Sequence, residues 1–192
     1  MRGAGGRRAV SWLLAVAALT GACAERRVSA SGPLREAWAE LKDAQGQSMG
    51  SAVLREEDGK VRMVVQVSGL TPGRHGIHIH AVGRCEPPTF QSAGGHFNPL
   101  GKKHGLENPE GAHGGDLPDL EVDASGRIEY VVVTDRVALA PGPTSVFDAD
   151  GSAVVIHARA DDQRTDPSGN SGERLLCGQL VTGPGGASPI RP

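Results

Sequence analysis

The sequence predicts an all-β domain, built as an antiparallel sandwich or barrel of about eight short strands. Three observations carry this. Apolar residues alternate with polar ones in short runs, the period of a half-buried strand. Turn-forming residues separate the runs, in a chain with 28 Gly and 13 Pro. No window of useful length shows a 3.6-residue period, so helices are not expected to carry the core.

The strand pattern begins at residue 34. Ala37, Ala39 and Leu41 alternate with Trp38, Glu40 and Lys42. Val61, Met63, Val65 and Val67 then alternate with Arg62, Gln66 and Ser68, and Asp58-Gly59 ahead of them reads as a hairpin turn. Further runs lie at 76–82, 120–122, 128–134, 153–158 and 175–181, punctuated by turn chemistry at 123–126 and 148–151. Two connections, 82–117 and 161–173, are too long and polar for ordinary turns, and loops of that kind in a compact domain tend to be functional.

The N-terminus is organised differently. Residues 1–8 carry Arg2, Arg7 and Arg8, residues 9–20 are almost wholly apolar, and Gly21 and Ala22 lead to Cys23. A basic start, an apolar stretch too short to span a bilayer and small residues at its end are the parts of an export signal, placed at 1–22. The run Leu19-Thr20-Gly21-Ala22-Cys23 resembles a bacterial lipobox, which makes Cys23 the expected lipidation site; cleavage after Ala24 to a soluble product is the other outcome. Residues 23–33 read as a tether, 34–183 as the domain and 184–192 as a loose tail. The expected location is the periplasm or cell envelope.

Removing 1–22 takes away three arginines and no acids, moving the formal charge from −2 to −5. A mildly acidic protein with no basic run is a poor partner for nucleic acid, and the only membrane contact expected is through the lipid. With Cys23 assigned to the signal, Cys85 and Cys177 remain as an even pair in an oxidising compartment, and a disulfide between them is expected.

The chemistry is concentrated in residues 75–116, which hold six of the seven histidines. Packing alone does not explain that density, whereas neutral imidazoles are the commonest protein ligands for zinc and copper. His78 and His80, two apart on a predicted strand, project from one face and suit a single metal, although a pair of strand histidines can be incidental. His157 ends the apolar run AVVIH and is a third candidate. His96, His104, His113 and Asp116, spaced 8, 9 and 3 residues apart, form a second group. Three imidazoles and a carboxylate are a closed tetrahedral set for zinc, structural rather than catalytic.

Together, GIHIH at 76–80, GGHFNP at 94–99, KKHG at 102–105, HGGDL at 113–117, VVIHARADD at 154–162 and GNSGERLLCG at 169–178 resemble the Cu/Zn superoxide dismutases. The resemblance spans about residues 36–182 and implies an eight-stranded Greek-key β-barrel or immunoglobulin-like sandwich with two long functional loops. It implies one copper ion, held by His78, His80, His96 and His157, and one zinc ion, held by His96, His104, His113 and Asp116, with His96 as the bridge between them. Asp161 is then the acid joining His78 to His104, His75 a packing residue rather than a ligand, and Arg174 the cation that guides superoxide. The implied activity is conversion of superoxide to oxygen and hydrogen peroxide through a Cu(II)/Cu(I) cycle, with catalytic roles for His96 and Arg174.

Only four residues separate His80 from Cys85, an arrangement similar to bacterial members of the family. The family admits a homodimer, and because subunit contacts differ among its branches the resemblance does not by itself imply an animal-type interface. A non-enzymatic relative that binds zinc or buffers copper would be expected to lack a copper ligand or the arginine, and all are present. A zinc hydrolase would need an open coordination position, which the closed set does not leave.

Overall fold

The computed structural model describes residues 35–183. The expected signal at 1–22, Cys23, the tether and the 184–192 tail lie outside the described residues.

Ten strands follow one another: β1 Arg35–Lys42, β2 Ser48–Glu57, β3 Lys60–Ser68, β4 Gly73–His75, β5 Ile77–His80, β6 Leu120–Val122, β7 Arg127–Thr134, β8 Ala153–His157, β9 Arg174–Gln179 and β10 Val181–Thr182. All pairings are antiparallel. The main sheet runs β5-β8-β9-β1-β2-β3-β7, with β10 beside β1, while β4 and β6 form a separate two-stranded ladder. The chain thus crosses from β3, next to the β7 end of the strand order, to β5 at the opposite end. The all-β expectation holds; β4, β10 and the long connection between β7 and β8 are additions the period did not announce.

Local chemistry explains the regular half. Asp58 and Gly59 both take positive φ, 51° and 73°, and join Glu57 directly to its partner Lys60, a two-residue turn whose twist matches the strands. In β1 to β3, Ala37, Ala39, Leu41, Ala52, Leu54, Val61, Met63, Val65 and Val67 are buried in the main core while their neighbours face outward.

β5 and β8 depart from that rule because they are buried on both faces. Ile77, Ile79, Val154 and Ile156 join the main core. On the other face, Ala153 and Val155 pack with Phe90, Ala93 and Cys177 under the loop that follows β5. His78, His80 and His157 share this second face, so pairing β5 with β8, Ile77 opposite Ile156, brings them together. The Cys85–Cys177 disulfide, with Cα atoms 5.6 Å apart, fastens the same loop to β9.

Candidate metal centre

The long loop is pinned along the edge of β5 by backbone hydrogen bonds. Ile79 N–H donates to Gly115 O at 2.9 Å, Phe97 N–H to Ile79 O at 2.8 Å, and Ala81 N–H to Gly95 O at 2.9 Å. Residue 115 must be glycine for this approach, since a Cβ there would overlap the Ile79 carbonyl. The contact places His96 opposite His80 and Asp116 opposite His78. Two candidate ligands on the loop are thereby delivered to two on the strand.

Two four-residue groups converge, one of His78, His80, His96 and His157, the other of His96, His104, His113 and Asp116; all seven side chains are buried. Hydrogen bonds at the far nitrogens fix which atoms face inward. His78 Nε2 donates to Asp161 Oδ2 at 2.6 Å, His80 Nδ1 to Gly94 O at 2.9 Å and His157 Nδ1 to Gly172 O at 3.2 Å. A neutral imidazole has one N–H, so each ring, committed outward, keeps a bare lone pair on its other nitrogen. Those bare atoms meet: His80 Nε2 and His157 Nε2 are 3.4 Å apart, and His78 Nδ1 is buried without a hydrogen-bond partner. Such an arrangement suits a soft or borderline cation and little else.

The second group has its own test. Asp116 Oδ1 lies 2.9 Å from His96 Nδ1, 3.1 Å from His104 Nδ1 and 3.3 Å from His113 Nδ1. One carboxylate oxygen does not have acceptor capacity for three such donors. The spacing instead resembles the edges of a tetrahedron about a zinc ion, about 3.3 Å for bonds of about 2.0 Å. His96 belongs to both groups: Nδ1 faces Asp116 while Nε2, buried and unpartnered, faces His78, His80 and His157. The residues present therefore fit two metal ions joined by one imidazole.

Electrostatics agree. In the metal-free protein, burial pulls His80 well below its ordinary value, with the nearby His96 and Arg174 adding to the effect. Burial likewise brings His96 to about 4, against the pull of Asp116, and His157 to about 3. These rings are neutral at physiological pH. His104 behaves oppositely: burial lowers it, but its hydrogen bonds to Asp116 and Asp161 prevail and raise it to about 9. Burial opposes ionisation of Asp116 and Asp161 as well, yet hydrogen bonds from the histidines hold both below the usual carboxylate range.

Asp161 reaches both groups, accepting from His78 as above and from His104 Nε2 at 3.0 Å. His75 stands outside them, its Nδ1 2.7 Å from the His157 carbonyl oxygen and its Nε2 2.9 Å from that of Thr71, the packing position expected of it. Arg174, at the start of β9, donates through Nη1 to Phe90 O and through Nη2 to Gly94 O, both at 2.7 Å. Gly94 O also receives the His80 N–H, so the guanidinium is fixed beside that ring. Three supporting residues carried no signal in the sequence. Arg136 Nη2 donates to Asp116 O at 2.5 Å, Gln163 Nε2 to Leu117 O at 3.2 Å, and Asp119 accepts the Asp161 N–H at 3.1 Å.

The copper/zinc superoxide dismutase family model matches residues 48–180. Superoxide dismutase [Cu-Zn] 2 of Aquifex aeolicus is 46% identical over 147 residues, covering 76% of this chain and 86% of that protein. The superoxide dismutase-like protein YojM of Bacillus subtilis is 43% identical over 145 residues, 74% of each chain. Superoxide dismutase [Cu-Zn] of Caulobacter vibrioides is 37% identical over 147 residues, 75% of this chain and 84% of its own. Among solved structures, a SOD-like protein from Bacillus subtilis is similar with a TM-score of 0.73 and 40% identity, over 79% of this chain and all of that one. A double mutant of a SOD-like protein from the same organism gives 0.73 and 44%, over 75% and 96%.

Proposed function

The chain belongs to the copper/zinc superoxide dismutase family, and from that membership we propose that it converts two superoxide anions and two protons to dioxygen and hydrogen peroxide, with one copper and one zinc ion per subunit. The observation that carries this reading is the double use of His96, one nitrogen turned to each cluster. His78 Nδ1, His80 Nε2, His96 Nε2 and His157 Nε2 would hold copper; His96, His104 and His113 through Nδ1, with Asp116 Oδ1, would hold zinc. When bound, copper supplies a one-electron Cu(II)/Cu(I) couple and zinc supplies charge without redox chemistry.

The protein's own residues do the rest. Asp161, His80's bond to Gly94 O and His157's bond to Gly172 O keep each ring aimed inward with its lone pair free. With Nδ1 committed to the zinc side, His96 Nε2 would be the ring's one site for a proton, a buried proton store on the copper side. Arg174 supplies a fixed positive charge to a small anion in a protein that is otherwise acidic. The 82–117 and 161–173 loops are tied together through Asp161, His104 and Gln163, so the zinc cluster orders the walls of the copper cluster.

The similarity to SOD-like proteins raises a second reading, in which the chain holds metal without turnover. The complete set of His78, His80, His96 and His157 with Arg174 favours the enzyme. The mature protein reconstituted with copper and zinc should accelerate superoxide decay in pulse radiolysis; decay no faster than in buffer, with both metals bound, would reject the enzymatic reading and leave the binding one. Arg174→Ala should slow the reaction several-fold at low salt and keep both metals, and an unchanged rate would remove its steering role.

A disulfide and bacterial relatives are consistent with an exported protein. We read 1–22 as the signal, 34–183 as the catalytic domain and Cys23 as lipid-modified, on the lipobox-like sequence. Mass spectrometry of the mature N-terminus should find a lipid on Cys23; an unmodified start at Glu25 would establish the soluble form instead. Sedimentation at several concentrations tests for the homodimer the family admits.

A further inference from the structure

Asp161 hydrogen-bonds one ring of each cluster, His78 and His104, so whatever fixes Asp161 bears on both. Its carboxylate is held on one side by the His78 and His104 N–H groups and by Gln163 N–H at 2.6 Å. Its own backbone N–H points elsewhere, to Asp119 Oδ1 at 3.1 Å. Asp119 precedes β6, and its side chain is 2% exposed. The other oxygen, Oδ2, lies 2.9 Å from Arg74 Nη2 on β4 but off the line of a directed hydrogen bond, so the pairing is one of charge. Arg74 itself is largely in solvent.

A buried carboxylate is costly unless its charge is paired and its oxygens have donors. Asp119 meets that requirement only in part: Oδ1 has one backbone donor, Oδ2 has the Arg74 charge but no directed donor, and its only directed bond among those described goes to Asp161. Removing Asp119 would leave the Asp161 N–H buried without a partner, and the residue would turn to find one. Any such turn swings the carboxylate away from His78 and His104 together, because both bonds leave the same group.

We infer that Asp119, held by Arg74, is a positioning residue for both metal half-sites, acting through the backbone of Asp161. This rests on the two-metal reading above. The test uses the full chain stripped of metal, with Zn(II) and Cu(II) affinities measured separately by chelator competition. Wild-type protein that takes up neither ion would overturn the metal-centre reading itself, and the inference with it; wild-type binding with the outcomes below isolates Asp119.

Asp119→Ala should weaken zinc and copper alike, by about tenfold, the low end for residues that orient ligands. Asp119→Asn, whose amide oxygen can still accept the Asp161 N–H, should recover most of that loss. In an Asp161→Ala background, Asp119→Ala should cause no further loss of affinity. Wild-type affinity in Asp119→Ala, failure of the asparagine to recover it, or full additivity with Asp161→Ala would each overturn the inference. Should the alanine variant not fold, exposed Arg74→Ala serves instead: about a threefold loss for both ions supports the pair, and no loss overturns it.

Discussion

Replacing Gly169 by alanine should disable both metal half-sites at once. Gly169 takes φ +58°, and a Cβ built on it would overlap the Asp161 carboxylate and lie 2.7 Å from His104 Nε2. Backbone strain alone is small, about 1 kcal/mol for an L-residue in the left-handed region. The steric term is larger, because the first atoms in the way belong to the Asp161 carboxylate, which must yield. Its displacement breaks the bonds to His78 Nε2 at 2.6 Å and His104 Nε2 at 3.0 Å. Each hydrogen bond to a charged group contributes roughly 1.5–3 kcal/mol. With one such bond per half-site, each ion should be held roughly 10- to 100-fold more weakly, since about 1.4 kcal/mol is tenfold. Chelator competition gives the zinc and copper affinities, and the copper EPR spectrum reports the change at His78. The comparison is Gly101→Ala, which shares the strain at φ +62° but meets nothing within 4 Å, and should keep both ions. Wild-type binding in Gly169→Ala would refute the reasoning. Equal losses in both variants would assign the effect to backbone strain rather than to contact with Asp161.

The remaining expectations concern the disulfide and the titration of the buried histidines. Reducing the disulfide, or Cys177→Ser, opens a loop of 92 residues and should lower unfolding free energy by about 4–5 kcal/mol on the chain-entropy account, measurable by urea titration; a change under about 1 kcal/mol would mean that the reduced unfolded chain is already constrained. The same change should slow superoxide decay, because Phe90 and Gly94, which anchor Arg174, lie in the loop it fastens. His104, raised to about 9 by Asp116 and Asp161 against the effect of burial, must lose its proton to bind zinc. Apparent zinc affinity should therefore climb with pH by up to about tenfold per unit below about 9 and level off above it, as dye competition can show. In the metal-free fold the His104 contribution is complete below about 6.5 and lost as pH rises through about 9. Burial sets His96 at about 4 and His157 at about 3, so these rings weaken the metal-free fold as pH falls below about 6.5. Urea midpoints of metal-free protein should accordingly peak near neutrality, and a midpoint that rises steadily towards pH 9 would contradict the assignment to His104.

Much of this was written in local sequence. The alternation in residues 35–42 and 60–68 named the buried side chains of β1 and β3, because strand geometry turns successive residues to opposite faces whatever the strand pairs with. Asp58-Gly59 named its own turn, since both residues tolerate positive φ. The ligand types were equally legible: His96, His104, His113 and Asp116 lie on one stretch of chain, and His78 and His80 share a face by spacing alone. Tertiary structure decided which face, which partner and which atom. His157 joins His78 and His80 only because β8 pairs with β5, a choice no local period encodes. Both strands are buried on two sides, so their histidines, which alternation alone would leave half exposed, are enclosed beneath the loop. Asp119 and Arg136 are composed like any polar loop residue, and Gly169 is one glycine of a quoted motif; the role of each became visible only where burial made an unpaired charge or an added atom costly. Sequence fixes the direction a side chain leaves the backbone; what it meets there depends on segments distant in the chain, brought alongside by strand pairing and a disulfide.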